Sequence, residues 1–262
     1  MIDHNRFQLA LDLGCENQEE RAIQELRALL QEGPTDEEKG WLMLYEARFL
    51  GQLLRVAEAR TRLAELAGLW EKRPDHDVQI DVASALLYEM QGNLSQTLRE
   101  LDRIARQYAA LLKLPEFRDL YEEIQANRGR LLVDEDRVKE ALPLLEETLR
   151  FERQKPGDFY YNLGYCYFMS GEWEKSERWL REALSSDLHP AIACVTHYYL
   201  GCLYYRKGSY AKAVTAFESA AEYAIQAKRP LNVIYGEMAK AYKRLGLEEE
   251  SSHYTQLAKS SK

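Results

Sequence analysis

The residues of this chain that are best suited to binding chemistry are concentrated in one stretch, YYLGCLYYRKGSYAKAVTAFESA, residues 198 to 220. It holds five tyrosines together with Cys202 and Arg206, and Lys207-Gly208 interrupts it. Tyrosine offers a large contact area, few rotatable bonds and a hydroxyl for hydrogen bonding. We therefore expect part of the stretch to build a core and part to line a binding groove.

Catalytic, phosphate-binding and metal-binding motifs are missing from the sequence. There is no GxGxxG or GxxxxGK[ST] loop, no HExxH pair, and no serine or cysteine in a nucleophile motif. The four cysteines lack CxxC spacing, and the five histidines are scattered, so surface or packing roles are expected for the histidines. These observations predict a protein that is not an enzyme and needs no cofactor or metal.

Composition limits the choice of partner and location. The 262 residues are 46% apolar, enough for a continuous core, and 35 basic against 43 acidic side chains give a net charge of −8. A negative chain is a poor phosphate binder, so nucleic acid is not expected as a partner. No long apolar run and no leader-like N-terminus are found, so we expect a cytoplasmic protein without membrane contact.

Evenly spaced prolines indicate a repeat. Successive positions differ by 40, 41, 41, 34 and 40 residues, while apolar residues recur at helical spacing throughout. Proline fits the first turn of a helix but costs about 3 kcal/mol in its interior, so these prolines mark junctions between units. The six prolines are Pro34, Pro74, Pro115, Pro156, Pro190 and Pro230.

A second break near the middle of each unit predicts a turn between two helices. Glycine ends a helix easily because it adopts the left-handed conformation without steric cost. The first 33 residues also contain one such break and so form a unit of their own. Together with the units that begin at the six prolines, the pattern predicts seven helical hairpins. Pro143 is the exception, because it should kink the second helix of the fourth hairpin or delay its start. The predicted turns lie at Gly14, Gly51-Gln52, Gly92-Asn93, Asp134-Glu135-Asp136, Gly171-Glu172, Gly208-Ser209 and Gly246-Leu247.

Two hairpins share a residue pattern. YYNLGYCYFMSGEWEKSERWLREAL, from Tyr160, aligns with HYYLGCLYYRKGSYAKAVTAFESAA, from His197, at an offset of 37 residues. Both lines read aromatic-x-x-Leu-Gly-x-x-Tyr, a glycine turn, and an aromatic residue two positions later. Small residues allow antiparallel helices to approach closely, so Gly164 and Gly201 are expected to face Ala183 and Ala220 while large residues fill the gaps.

This pattern resembles the tetratricopeptide repeat (TPR) family, well over residues 116 to 260 and by analogy elsewhere. The resemblance implies an all-α fold, a right-handed superhelical solenoid of about seven antiparallel hairpins with a concave surface. We expect a single TPR-like solenoid over 1–262, with degenerate hairpins in 1–115, better-matched hairpins in 116–247 and a capping helix in 248–262.

In the TPR family the first helix of each hairpin lines the concave face, and the resemblance carries this role onto matching positions here. Tyr204 and Tyr210 would pack, whereas neighbouring rings would form a groove, and Arg206, Lys240 and Lys243 would attract an acidic peptide. The other interpretation is that the rings only pack on each other. The candidate partner-binding residues are Tyr161, Asn162, Tyr165, Phe168, Tyr198, Tyr199, Cys202, Tyr205, Arg206, Lys240 and Lys243.

The resulting hypothesis is a non-catalytic scaffold that binds a protein or peptide segment in a preformed concave groove. Besides an enzyme whose pocket carries no recognisable motif, two alternatives stay open at this stage. One is a regulatory sensor in which a peptide or small ligand in the groove alters an output surface elsewhere. The other is a homo-oligomer that associates through its aromatic residues.

Overall fold

Helices make up the regular structure of this chain. A computed structural model describes residues 2–151 and 155–260, and over these ranges it contains fourteen α-helices, two 3-10 turns (Leu111–Lys113 and Pro115–Phe117) and no strand. The helices follow one another along the chain with short connections and without strands in these ranges, which confirms the all-α prediction. Their bounds are α1 His4–Cys15, α2 Glu19–Leu30, α3 Asp36–Gln52, α4 Val56–Leu69, α5 Pro74–Met90, α6 Leu94–Gln107, α7 Arg118–Asp134, α8 Val138–Thr148, α9 Gly157–Met169, α10 Trp173–Ala183, α11 Pro190–Arg206, α12 Tyr210–Gln226, α13 Asn232–Arg244 and α14 Glu248–Ser260.

Prolines lie at or just before the start of the first helix of most pairs. Pro74 and Pro190 are the first residues of α5 and α11, and Pro156 is the N-cap of α9. Pro34 and Pro230 precede α3 and α13. The missing N–H of proline is harmless there, because the first turn of a helix has no partner for it. The prediction that prolines mark the junctions between hairpins is confirmed.

Four glycines form the turn inside a pair by taking the left-handed conformation. Gly92, Gly171, Gly208 and Gly246 have φ of 75°, 78°, 74° and 77°. Asp136 takes the same place between α7 and α8 with φ of 58°. Asp tolerates this region better than most side chains do. The five predicted turns at these positions are confirmed.

The turns predicted at Gly14 and Gly51 are wrong. Asn17 and Leu54 occupy the left-handed positions instead, with φ of 58° and 59°. Gly14 lies inside α1, where an added Cβ would come within 2.1 Å of the Phe49 ring, and Gly51 lies inside α3. Both glycines therefore serve close helix packing rather than chain reversal.

The closest helix crossings in the second half pair a glycine with a large side chain. A Cβ on Gly164 would lie 2.8 Å from Leu180, and one on Gly201 would lie 2.4 Å from the Phe217 ring. The prediction that alanines face these glycines is wrong, because the nearest atoms belong to residues three positions earlier. Removing the side chain on one helix lets a large residue of its partner rest on the backbone.

The described chain divides into two compact units, Met1–Leu131 and Leu132–Lys262. The core of the first unit is built on fully buried aliphatic residues such as Leu26 and Leu66. The second unit packs around the fully buried Phe217. Whether the hairpins form the single array that the sequence pattern suggests remains a prediction.

Pro143 lies inside α8, which runs from Val138 to Thr148. Its missing N–H leaves the carbonyl four residues earlier without the usual helical donor. The helix still begins two residues after the left-handed Asp136, as α10 begins two residues after Gly171. The predicted delay of the helix start is therefore not seen.

A capping box starts α3. The Thr35 hydroxyl accepts a hydrogen bond from the Glu38 N–H, and the Glu38 carboxylate accepts hydrogen bonds from the N–H of Thr35 at 2.8 Å and of Ile2 at 3.0 Å. These backbone hydrogen bonds, first to Thr35 and then to Ile2, lower the pKa of Glu38 from the ordinary 4.5 to about 2.

Acid should weaken the fold through Glu38. A carboxyl whose pKa is depressed in the folded state contributes stability that is present above its unfolded pKa and is lost as pH falls through the folded pKa. The window therefore runs from about 4.5 down to about 2. We expect Glu38→Gln, which keeps an acceptor but does not titrate, to make the unfolding free energy less steeply dependent on pH in this window.

Urea unfolding followed by circular dichroism at a series of pH values measures this slope. Glu249→Gln, which changes an exposed carboxylate in the first turn of α14, is the control and should keep the wild-type slope. A Glu38→Gln slope equal to that of wild type would contradict the role assigned to this capping box.

Candidate binding surface

Most of the predicted binding residues lie on α9 and α11, the first helices of two successive pairs, which pack against each other. On each helix they follow one another mostly at intervals of three or four residues, so they share one helix face. The structure thus brings together residues that the sequence separates by more than 30 positions. We define the aromatic surface as Tyr161, Tyr165, Phe168, Tyr198, Tyr199, Cys202 and Tyr205.

Ring contacts join the two helices across this surface. The Tyr199 ring of α11 lies 5.2 Å from that of Tyr165 and 5.0 Å from that of Phe168, both on α9. Tyr161 extends the row beyond Tyr165 at 6.3 Å, and Tyr198 lies 5.4 Å from Tyr199. All five side chains are half-buried. The rings pack on each other and still keep part of their surface open to solvent.

Tyr165 carries the polar contact at one side of the surface. Its hydroxyl donates to Oδ1 of Asp136 at 3.1 Å. Burial, with the neighbouring rings and Asp136 as lesser causes, raises the pKa of Tyr165, and burial also raises the pKa of Tyr161. Both hydroxyls therefore stay protonated at neutral pH. Tyr165 already donates its proton to Asp136, whereas Tyr161 can donate its own to a bound group.

Arg206 lies beside the surface and contacts two aromatic rings. Its guanidinium carbon lies 4.9 Å from the centre of the Trp173 ring and 5.9 Å from that of Phe168, and those two rings are 5.6 Å apart. This geometry is that of a cation–π contact. Arg206 is exposed and so keeps a charged edge toward solvent.

Cys202 lies next to Tyr198 and is half-buried. Burial raises the pKa of its thiol to about 11, with the nearby Glu237 carboxylate as a second cause. A thiol with such a pKa is almost entirely protonated at neutral pH and is a poor nucleophile. Its place in the surface is that of a small contact residue.

Tyr205 and the lysines of α13 extend the site along the chain. The Tyr205 ring contacts that of Tyr210 at 5.3 Å, and Arg244 donates to the Tyr210 hydroxyl at 2.7 Å. Lys240 pairs with Glu237 at 2.7 Å, and the pairing raises the pKa of Lys240. Because α11 and α13 are in contact, the charge of Lys240 lies near Tyr205 and Cys202.

The remaining predicted residues differ in exposure. Lys243 is exposed in the last turn of α13, as a partner-binding residue should be. Asn162 is only 6% exposed, so the structure places it inside the unit rather than on the surface. Asp136 and Trp173 were missed as neighbours of the site, because the pattern marked one as a turn residue and the other as a packing residue.

Metal binding and membrane crossing are two other kinds of function that the structure bears on. Within residues 2–151 and 155–260, no group of three or more His, Cys, Asp or Glu side chains comes together in a way that could hold a metal ion. None of the helices in the described ranges is long and apolar enough to cross a membrane.

Known families match the second half of the chain. Tetratricopeptide-repeat models match residues 126–191 and 196–224. Among curated proteins, BBSome complex member BBS4 of Bos taurus is 26% identical over 168 residues, which is 62% of this chain and 30% of that protein. The aligned part of the chain thus spans less than a third of this relative.

Solved structures share the fold. The crystal structure of MamA superposes with a TM-score of 0.53 and 19% identity over 69% of this chain and 89% of its own. That of YrrB, described as a TPR protein with an unusual peptide-binding site, superposes with a TM-score of 0.52 and 16% identity over 68% of this chain and 83% of its own. At these identities the likeness concerns the fold alone.

Proposed function

Because this chain is a tetratricopeptide-repeat protein, we propose that it binds an extended or helical segment of another protein at the aromatic surface, without catalysing a reaction. The observation that carries the proposal is the continuous row of half-buried rings across α9 and α11. Rings of this kind at the centre of an interface contribute much of its binding energy, since they combine large area with few rotatable bonds.

Preorganisation is the proposed mechanism. Tyr199 touches two rings of α9, so these side chains are held in place before a partner arrives. A site that is ordered in advance spares the entropy cost of immobilising it on binding. The hydroxyl of Tyr161 is a protonated donor that can meet a backbone carbonyl of the bound segment. The hydroxyl of Tyr165 donates to Asp136 and can accept a hydrogen bond from a backbone N–H.

The charged residues near the aromatic surface favour one position for an acidic group of the bound segment. Asp136 lies beside Tyr165, whereas the charge of Lys240 lies near Tyr205. Lys243 is exposed one helical turn further along α13. A segment with apolar or aromatic side chains in the middle and an acidic group toward the lysines would complement this arrangement.

Similar proteins support a role in protein binding. The Bos taurus relative is named as a member of a protein complex, and YrrB is described as having a peptide-binding site. Free cysteines also fit the cytoplasmic location that the sequence predicts, because reducing compartments keep thiols unpaired.

Peptides selected from a phage-displayed random library against the full chain test the proposal. Synthetic versions of the selected peptides are titrated by fluorescence anisotropy against wild type and against a variant carrying Tyr165→Ala and Tyr199→Ala. We expect binding to weaken at least about tenfold, because central interface aromatics typically cost more than 1 kcal/mol each when truncated.

Tyr223→Ala is the matched control, because Tyr223 is a half-buried tyrosine on α12 that stacks on His197 at 5.5 Å, away from the ring row. It should leave the affinity unchanged. Equal binding to wild type and to the double variant, with both folded by circular dichroism, would refute the site. The site would also be refuted if sedimentation showed that wild type self-associates and that the double variant does not, because the surface would then be occupied by a second copy of the chain.

A further inference from the structure

The first unit contains a hollow of about 670 Å³ between α2, α3 and α4. Its volume falls in the range that holds small ligands or a few residues of a peptide. Three basic side chains from three different helices line it, Arg27, Lys39 and Arg62, together with an apolar part. The residues of this hollow lie in a different unit from the aromatic surface.

A buried carboxylate behind the hollow holds two of these cations. Glu46 of α3 is 0% exposed, and its Oε1 accepts hydrogen bonds from Nε of Arg27 at 2.7 Å and from a terminal nitrogen of Arg62 at 3.1 Å. Its Oε2 lies 2.8 Å from Nε of Arg62, off the N–H direction, so that contact is electrostatic. Both guanidiniums are thereby positioned at the wall of the hollow.

The charge balance of the hollow is positive. The three basic side chains face Glu46 and Glu65, the latter 2.7 Å from Arg62, which leaves an excess of one positive charge in a chain of net −8. In the described part of the chain, Arg27 uses Nε for Glu46 and has its terminal nitrogens available, and Lys39 is exposed. The hollow is therefore suited to an anionic group.

The apolar part of the hollow has room for a side chain. Gly68 lies inside α4 with ordinary helical φ, and an added Cβ there would meet nothing within 4 Å. Neither the backbone nor packing requires glycine here, although glycine weakens a helix. Leu30, Met43 and Leu69 complete the apolar wall, so an aliphatic side chain fits beside the cations.

We infer that this hollow binds a peptide segment of a partner protein that presents a carboxylate next to an aliphatic side chain. The carboxylate pairs with Arg27 and Lys39, and the aliphatic side chain lies against Met43 and the space above Gly68. Charge complementarity and the open glycine are the two observations that select this partner.

The probe is the peptide acetyl-Leu-Glu-Leu-amide, titrated into the full chain with methyl-¹³C methionine and followed by NMR. Met43 lines the hollow, whereas Met169 and Met238 lie in the second unit and report any binding there separately. We expect Met43 alone to shift. Acetyl-Leu-Leu with a free terminal carboxylate tests whether the carboxylate of a chain end can replace that of a side chain. A shift of the Met43 signal with either peptide supports the proposal.

Variants separate this site from the aromatic surface. Lys39→Gln should weaken the peptide at least about fivefold, and Gly68→Leu should abolish the Met43 shift by filling the hollow. Gly68→Ala keeps the helix and should weaken binding less. The variant carrying Tyr165→Ala and Tyr199→Ala should bind as wild type does, so failure at one site is distinguishable from failure at the other.

Three results would overturn the inference. The first is an equal Met43 shift with the neutral peptide acetyl-Leu-Gln-Leu-amide. The second is an equal shift with inorganic phosphate alone, which would show a simple anion site. The third is no Met43 shift with either carboxylate peptide at millimolar concentration.

Discussion

Gly201→Ala should lower the free energy of unfolding of the second unit by about 1–3 kcal/mol, the usual cost of overpacking a core. The new Cβ would lie 2.4 Å from the ring of Phe217, which is 0% exposed and has no free space to move into. Because α11 and α12 are in contact along their length, relief requires the helices to separate. Urea unfolding monitored by circular dichroism measures the loss.

Gly236→Ala is the matched control for this change. Gly236 also lies in a helix of the second unit, but an added Cβ would meet nothing within 4 Å. Alanine should therefore stabilise by about 0.5–1 kcal/mol, the helix preference of alanine over glycine. Adding Phe217→Leu to Gly201→Ala should give a loss smaller than the sum of the two single losses. Stabilisation by Gly201→Ala would contradict the close crossing.

Glu46→Gln should lower the free energy of unfolding by about 1–3 kcal/mol. Glu46 is 0% exposed while Arg27 and Arg62 keep side-chain exposures of 47% and 27%. Removing the charge leaves two guanidiniums without their shared counterion. Their contact with water limits the loss, so we expect less than breaking a fully buried pair would cost. Thermal and urea unfolding measure the change.

Glu58→Gln serves as the control for this loss. Glu58 of α4 pairs at 2.6 Å with Arg55, the N-cap residue of that helix, and its side chain is 52% exposed. An exposed pair of this kind contributes at most about 0.5 kcal/mol. If Glu46→Gln costs no more than Glu58→Gln, the buried carboxylate does not hold the basic wall of the hollow.

Local rules predicted much of the fold, and long-range contacts explain where they failed. The turns at Gly92, Gly171 and Gly208 follow from the freedom of glycine, which is a property of the residue alone. Gly14 belongs to the same residue type, yet it is placed by the ring of Phe49, 35 positions away in the sequence. Nothing near Gly14 in the sequence distinguishes a packing glycine from a turn glycine.

The site shows the same division. The resemblance to the TPR family predicted Tyr161, Tyr165 and Phe168 as neighbours on one helix, and in the structure their rings lie in one row with that of Tyr199. Spacing could not show that Asn162 is buried or that Arg206 rests on Trp173, because both depend on what neighbouring helices contribute. The exposed fraction of a side chain depends on how the helices pack together. The sequence pattern therefore indicates on which helix face a residue lies, but not how deeply its side chain is buried.

The hollow of the first unit left only a faint signal in the sequence. Glu46 lies among Leu42, Leu44, Ala47 and Leu50, in a run that is apolar apart from Arg48, and a buried charge is out of place there unless it is paired. Its partners, Arg27 of α2 and Arg62 of α4, are too far away in the sequence for a local pattern to reveal them. A single acidic residue in such a run indicates a buried ion pair, which here is made with arginines from two other helices.

The contact between Gly201 and Phe217 ties the evolutionary fate of two positions together. A larger residue at the first is tolerable only where the second has become smaller, so related chains should exchange the two as a pair. Gly164 with Leu180 repeats this arrangement at the same separation of 16 residues. A substitution at either member of such a pair therefore requires a compensating substitution at the other. At Gly236 no neighbouring side chain imposes this requirement.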